Sequence, residues 1–156
     1  MDFAYNDEQK EIIKVVRDLV EKEIVPYASE MDETGKLHEG LLEKLAAQGL
    51  LGVAIPEEFG GAGLDAITIA AIYEELGKGC AGVATTVAAN ALASYPVIIA
   101  GNDDQKKRYF DIINEDNLAA FALTEPGTGS DAGSVSTRAM KTEDRSEEHT
   151  SELQSR

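Results

Sequence analysis

Between Asn6 and Ile113 the apolar residues return every three or four positions, in runs separated by glycine and proline. A chain written this way folds as packed helices, because only a helical repeat brings such positions onto one face. In the first run Ile12, Val15, Val16, Leu19, Val20 and Ile24 share that face, with Glu and Lys over much of the other. Asn6 or Asp7 is available as its N-cap, and Pro26 predicts its end. A second, short helix is expected around Glu39 to Gln48, with Leu41, Leu42, Leu45 and Ala46 inward and Gly49 as the stop.

GVAIPEEFGGAGLD, residues 52–65, breaks the regular pattern with Pro and Gly. Asp65 can cap a third helix whose apolar positions are Ile67, Ile69, Ala70, Ile72, Tyr73 and Leu76. After Gly77 and Gly79 an Ala-rich helix extends to about Ile99, its small side chains suited to close contact between helices. A further helix starts at Asn102 or Asp103 and ends near Ile113, with Tyr109, Phe110, Ile112 and Ile113 as its apolar contacts. The reading is about five helices with short connections, a bundle in which antiparallel neighbours are favoured.

LAAFALT, residues 118–124, is a short apolar run bounded by Asn117 and Pro126, and reads as a strand. One strand makes no sheet, so a β domain is expected to begin here. In the TEPGTGSD that follows, Pro126 restricts its neighbour, while Gly127 and Gly129 permit backbone turns and close ligand approach. Thr124, Thr128 and Ser130 offer hydroxyls, and successive amides could form an anion-binding nest. Such groups suit a polar cofactor and suit an ordinary solvent-exposed turn equally well. The stretch has no GK[ST] ending and is not a GxGxxG fingerprint after a first strand.

The formal charge of −15 over 156 residues argues against a general nucleic-acid surface, which needs cations to displace counterions from phosphates. Cys80 is the one cysteine, so an intrachain disulfide is impossible and a Cys-based metal cluster has no basis. The start, MDFAYNDEQKEIIKVV, has acids where a secretory leader carries basic residues. AGVATTVAANALASYPVIIAG is interrupted by Thr, Asn, Ser and Pro and reads as a packed helix instead of a membrane span. A cytoplasmic protein is the expectation. His38 reads as a cap or surface residue, and Cys80 as a buried or semi-buried thiol with no base partner.

The order and separation of these features resemble the acyl-CoA dehydrogenase family. The resemblance rests on the amino-terminal helices, PEEFGGAG, the Ala-rich helix leading into YPVIIAGNDDQKKRY, and FALTEPGTGSD, and covers essentially residues 1–139. It implies a mainly α fold: the family's amino-terminal helical bundle over 1–116, then the truncated start of its middle β domain over 117–144. It implies FAD-dependent oxidation of an acyl-CoA to a 2,3-enoyl-CoA in the full-length form. Phe121, Leu123, Thr124, Gly129 and Ser130 are then the cofactor-binding residues, with Thr124 near the reactive ring edge and Ser130 near both FAD and the acyl-CoA substrate. Ala89 to Ile99 resemble part of the acyl cavity lining. Glu125 is not given the role of base; it is expected to order nearby backbone or solvate its turn. The family's base is a glutamate in a later helical domain, so no catalytic or metal residue is assigned here. For the intact parent the resemblance implies electron-transfer flavoprotein as a partner and a homo-oligomer.

RSEEHTSELQSR, residues 145–156, resembles the translation of a common sequencing-library adapter. The expectation is a non-native tail on a truncated reading, with no role for His149, no partner strand for the β domain's exposed edge, and no turnover by this chain alone. The alternative is a non-catalytic helical interaction or scaffold module.

Overall fold

In a computed structural model of the protein, residues 4–114, 117–141 and 146–148 are described. The chain divides into two compact units at Phe121 and Ala122. The first is helical, and its described residues form six α-helices: α1 Asp7–Leu19, α2 Ala28–Thr34, α3 Leu41–Ala47, α4 Ala66–Gly79, α5 Ala81–Ala100 and α6 Asp103–Asn114.

Side chains just outside the helices set where they start. Asn6 Oδ1 accepts the Gln9 N–H at 2.8 Å while Gln9 Oε1 accepts the Asn6 N–H at 3.0 Å, a reciprocal cap that satisfies two otherwise orphaned donors of α1. Asn102 and Gln105 repeat the arrangement at α6. Asp65 caps α4, accepting the Ile67 and Thr68 amides at 2.8 and 3.1 Å. The Thr68 hydroxyl, then its amide, hold the Asp65 carboxyl below its ordinary range. Gly49 follows α3 at φ 69°, the left-handed conformation that ends a helix at little cost to a residue without Cβ.

Pro26 does not end the first helical run. After Leu19 the backbone widens into a π turn, Val20–Ile24, tightens into a 3-10 turn, Val25–Tyr27, and goes on as α2. The proline falls in the first turn of a new helical piece, where its missing N–H leaves no hydrogen bond unmade. Helix α2 was not anticipated from the sequence.

The core of this unit joins Val16, Val20 and Ile24 to Leu41, Leu45, Val53, Ile69, Ile72, Leu76, Val83 and Val87. Helix α4 packs against both α1 and α5. Its buried face is Thr68, Ile69, Ala71, Ile72, Glu75 and Leu76, whereas Ile67 and Ala70, expected inside, are exposed. The polar members have partners on α1: Gln9 Nε2 donates to Thr68 Oγ1 at 3.1 Å, and Arg17 donates to both oxygens of Glu75 at 3.1 and 2.9 Å. Gly79 closes the contact, since a Cβ there would lie 2.6 Å from Val20 Cγ1. A second cluster, Ile55, Phe110 and Ile113, holds α6 and the end of α5 to the PEEFGG loop.

In the second unit Glu125 and Thr128 pair through both backbone groups around Pro126 and Gly127, each bond 3.0 Å. A 3-10 turn follows at Ala132–Ser134, then strand β1, Ala139–Lys141, antiparallel to β2, Ser146–Glu148, with Met140 opposite Glu147. The strand expected over 118–124 is not formed, because the ladder donors and acceptors that would define it have no neighbouring chain among the described residues. Ser146–Glu148 pairs with Ala139–Lys141 and not with residues 118–124, so the edge expected near Leu118 has no partner strand among the described residues. His149 lies outside the described residues.

Candidate functional site

The turn-rich stretch after Ala120 is organised by one carboxylate. Glu125 is buried and charged at neutral pH. Its Oε2 accepts the Ser136 amide and hydroxyl, both at 2.9 Å, and its Oε1 accepts the Thr137 amide at 2.8 Å and the Thr137 hydroxyl. Those donors, the Thr137 hydroxyl foremost, hold its pKa down to about 2. A carboxylate so fully engaged is a poor proton acceptor. It ties residues 125–128 to 136–137 and orders the loop between them, as expected of it. Thr128 is also buried; its hydroxyl donates to the Ser134 carbonyl at 3.2 Å.

The residues singled out for a cofactor behave differently. Leu123, Thr124, Gly129 and Ser130 are exposed in the second unit, and Phe121 is exposed at the end of the first. Among the described residues the Thr124 and Ser130 side chains make no hydrogen bond, so both hydroxyls remain available. Gly127 and Gly129 have nothing within 4 Å of where a Cβ would sit. Neither takes a left-handed φ, so the glycines are not required by the backbone of the turn; the open space beside them is what they provide. The Thr128 amide is committed to the Glu125 carbonyl, which removes one donor from the expected anion nest. The donor set left over, neutral hydroxyls and amides on an exposed turn, fits the polar parts of a dinucleotide cofactor.

On α5, Leu92, Tyr95 and Ile99 are exposed by 49, 40 and 81%, and their spacing puts them on one face. The opposite face is buried and includes Asn90 and Ser94. Asn90 was missed in the sequence. A lone amide inside an Ala-rich helix is the signal that could have found it, since amides are rarely buried without a task.

His38 makes no side-chain cap on α3 and is partly exposed. Its half-buried ring stacks on Tyr27 with centroids 3.5 Å apart, and Nδ1 lies 3.5 Å from Glu30 Oε1. Cys80 is partly buried before α5. The Tyr73 hydroxyl is buried with no partner among the described residues, and burial pushes its pKa up to about 12.

Residues 6–115 match the family described as acyl-CoA dehydrogenase, N-terminal domain. The chain belongs to the acyl-CoA dehydrogenase family. It is 41% identical over 138 residues to the 3-(aryl)acrylate reductase of Clostridium sporogenes, an alignment covering 86% of this chain and 36% of that protein. Butyryl-CoA dehydrogenase from Megasphaera elsdenii superposes with a TM-score of 0.78 at 34% identity, covering 92% of this chain and 39% of that one. A structure described as the electron transferring flavoprotein of Acidaminococcus fermentans gives a TM-score of 0.83 at 32% identity, covering 94% and 39%. This acyl-CoA dehydrogenase family member thus spans little more than a third of the length of these relatives. The match to the amino-terminal domain ends at residue 115, so the stretch 121–131 lies beyond it.

Proposed function

We propose that this chain supplies the amino-terminal part of a flavin-dependent acyl-CoA dehydrogenase that converts an acyl-CoA to a 2,3-enoyl-CoA. Family membership across residues 6–115 carries the reading. Phe121, Leu123, Thr124, Gly129 and Ser130 hold FAD, which when bound supplies the acceptor for the hydride leaving the substrate. The free hydroxyls of Thr124 and Ser130 support this assignment: a donor already engaged within the turn would have to break a bond to meet the cofactor. Ser130 also meets the acyl-CoA, and the exposed face formed by Leu92, Tyr95 and Ile99 lines part of the acyl cavity. Residues 117–144 begin the middle β domain. Glu125 is not the base, because its lone pairs are taken and its proton affinity is low.

The intact protein is cytoplasmic, assembles as a homo-oligomer and delivers electrons to electron-transfer flavoprotein. The helix α5 is long and apolar enough to cross a membrane by composition alone, but one face of it is buried within the bundle, which supports a packed helix.

Purification of the complete gene product tests the reading. A bound flavin spectrum that bleaches on addition of butyryl-CoA without added reductant is expected, and Thr124→Val should shift that spectrum. Absence of flavin from protein reconstituted with FAD overturns it. One observation favours the non-catalytic interaction module instead: an apolar groove of about 330 Å³ between α1 and the 48–64 segment, lined by Ile12, Val15, Leu19, Leu50 and Leu64. A stable flavin-free protein that captures a partner through this groove would select that alternative.

A further inference from the structure

Asn90 is fully buried on α5, and its amide is used at both ends. Nδ2 donates to the Leu51 carbonyl at 2.8 Å, and Oδ1 accepts the Ala119 N–H at 2.6 Å. The two backbone groups fix the orientation of the amide, because the reversed form would set N–H against N–H and oxygen against oxygen. One side chain thereby joins three segments far apart in sequence: the centre of α5, the turn that opens the PEEFGG loop, and the chain leaving the bundle. A neutral amide offers its donor and its acceptor in the same plane without any change of protonation.

Other contacts also hold the chain that leaves the bundle. Asn117 donates through Nδ2 to the Ile112 carbonyl at 2.7 Å, and Ala119 rests against the cluster of Ile55, Phe110 and Ile113. Leu118, Ala120 and Phe121 are exposed. Phe121 is two residues beyond the bond at Ala119, roughly 7 Å along an extended chain. Without that bond, the nearest side-chain anchor is Asn117, at twice the separation in sequence. The direction in which Phe121 is presented therefore depends on whether Ala119 is pinned.

We propose that Asn90 is a positioning residue: by holding the Ala119 amide it sets the path of residues 119–121 and so the placement of Phe121 for the flavin. The inference rests on the flavin reading proposed above. Asn90 does not touch the cofactor; it acts through the backbone that carries Phe121. The link to Leu51 has a different consequence, anchoring the loop from inside, and the two functions can be separated by substitution. Aspartate keeps an oxygen for the Ala119 N–H but turns a second oxygen toward the Leu51 carbonyl. Leucine removes both bonds and leaves a buried carbonyl and a part-buried amide without their partner.

The test compares the complete gene product with its Asn90→Asp and Asn90→Leu variants, reading FAD affinity, the visible circular dichroism of the bound flavin, amide exchange at Ala119 and the thermal midpoint. Asn90→Leu is expected to weaken FAD about tenfold, as for a binding-competent placement of Phe121 reduced to about a tenth of the population. It should also alter the dichroism band and speed exchange at Ala119. Asn90→Asp is expected to lower the thermal midpoint yet keep the Ala119 amide protected and the dichroism band of the wild type. If the leucine variant does not fold, Asn90→Ala replaces it with the same expectation. Flavin loss that follows the thermal midpoint in both variants, or an unchanged dichroism band in the variant lacking both bonds, overturns the proposal and leaves the flavin reading intact. Wild-type protein that takes up no FAD overturns both.

Discussion

Two buried glutamates, Glu75 in the bundle and Glu125 in the second unit, both have pKa values held down to about 2, and they reach that value by opposite means. Glu75 is ionised by cations: the hydrogen bonds from Arg17 contribute most, and Lys78 adds a contact at 2.8 Å against the cost of burial. Among the described residues Glu125 has no cation; two amides and two hydroxyls do the work. The first arrangement joins residues 58 positions apart and is inseparable from the packing of α1 on α4. The second closes a loop of 11 or 12 residues within one stretch of chain. A depressed pKa is thus evidence for a structural anchor as readily as for a catalytic group, and the identity of the donors decides between them.

The contrast is sharpest in how far damage spreads. Phe110→Ala removes the fully buried ring that joins α6 to the PEEFGG loop, and should cost about 3–5 kcal/mol in chemical denaturation of the bundle. Amide protection at Ser136 and Thr137 should persist under native conditions. Simultaneous loss of that protection would show that the two units are one cooperative system.

Acid and salt probe the charges themselves. Each folded-state pKa lies below the ordinary value of 4.5, so each carboxylate contributes stability that is fully present above 4.5 and is lost as pH falls toward about 2. Arg17→Met should remove most of the bundle's share of that slope and most of its sensitivity to added salt, since attraction between charges is screened. Protection around Glu125 should show the acid dependence without the salt dependence, because its donors are neutral. Equal salt effects at both sites would contradict the assignment.

The smallest global effect is expected from Glu125→Gln. Exchange at the Ser136 and Thr137 amides should speed up, and the denaturation midpoint of the bundle should stay where it is. A shift in that midpoint would mean that the turn supports the helices.

Several elements were legible in the sequence because their causes are local. The caps at Asn6, Asp65 and Asn102 need only a side chain that reaches back to amides two or three residues on, and Gly49 needs only its own backbone freedom. The order of apolar runs, the PEEFGGAG loop and FALTEPGTGSD were enough to indicate the family. Of the candidate site, the hydroxyl-bearing turn could be picked out from its residues, but the donors that engage Glu125, Ser136 and Thr137, could not. Nothing in TEPGTGSD points to them.

What the tertiary structure decided lies wherever a residue's partner is distant in the chain. Counting apolar positions put Ile67 and Ala70 inside α4; Gln9 and Arg17 on α1 instead draw Thr68 and Glu75 into the interface, so the helix turns a more polar face inward. Pro26 reads as a stop until the π turn before it lets the chain continue. Residues 118–124 have the composition of a strand and, among the described residues, lack the neighbour that makes one. Asn90 looks like a polar accident in an Ala-rich helix until Leu51 and Ala119 arrive at its two ends. Sequence alone determined the capped starts of α1, α4 and α6 and the family, since those depend on neighbours along the chain. Which faces meet and which backbone groups are pinned depend on neighbours in space, and only the folded protein supplies them.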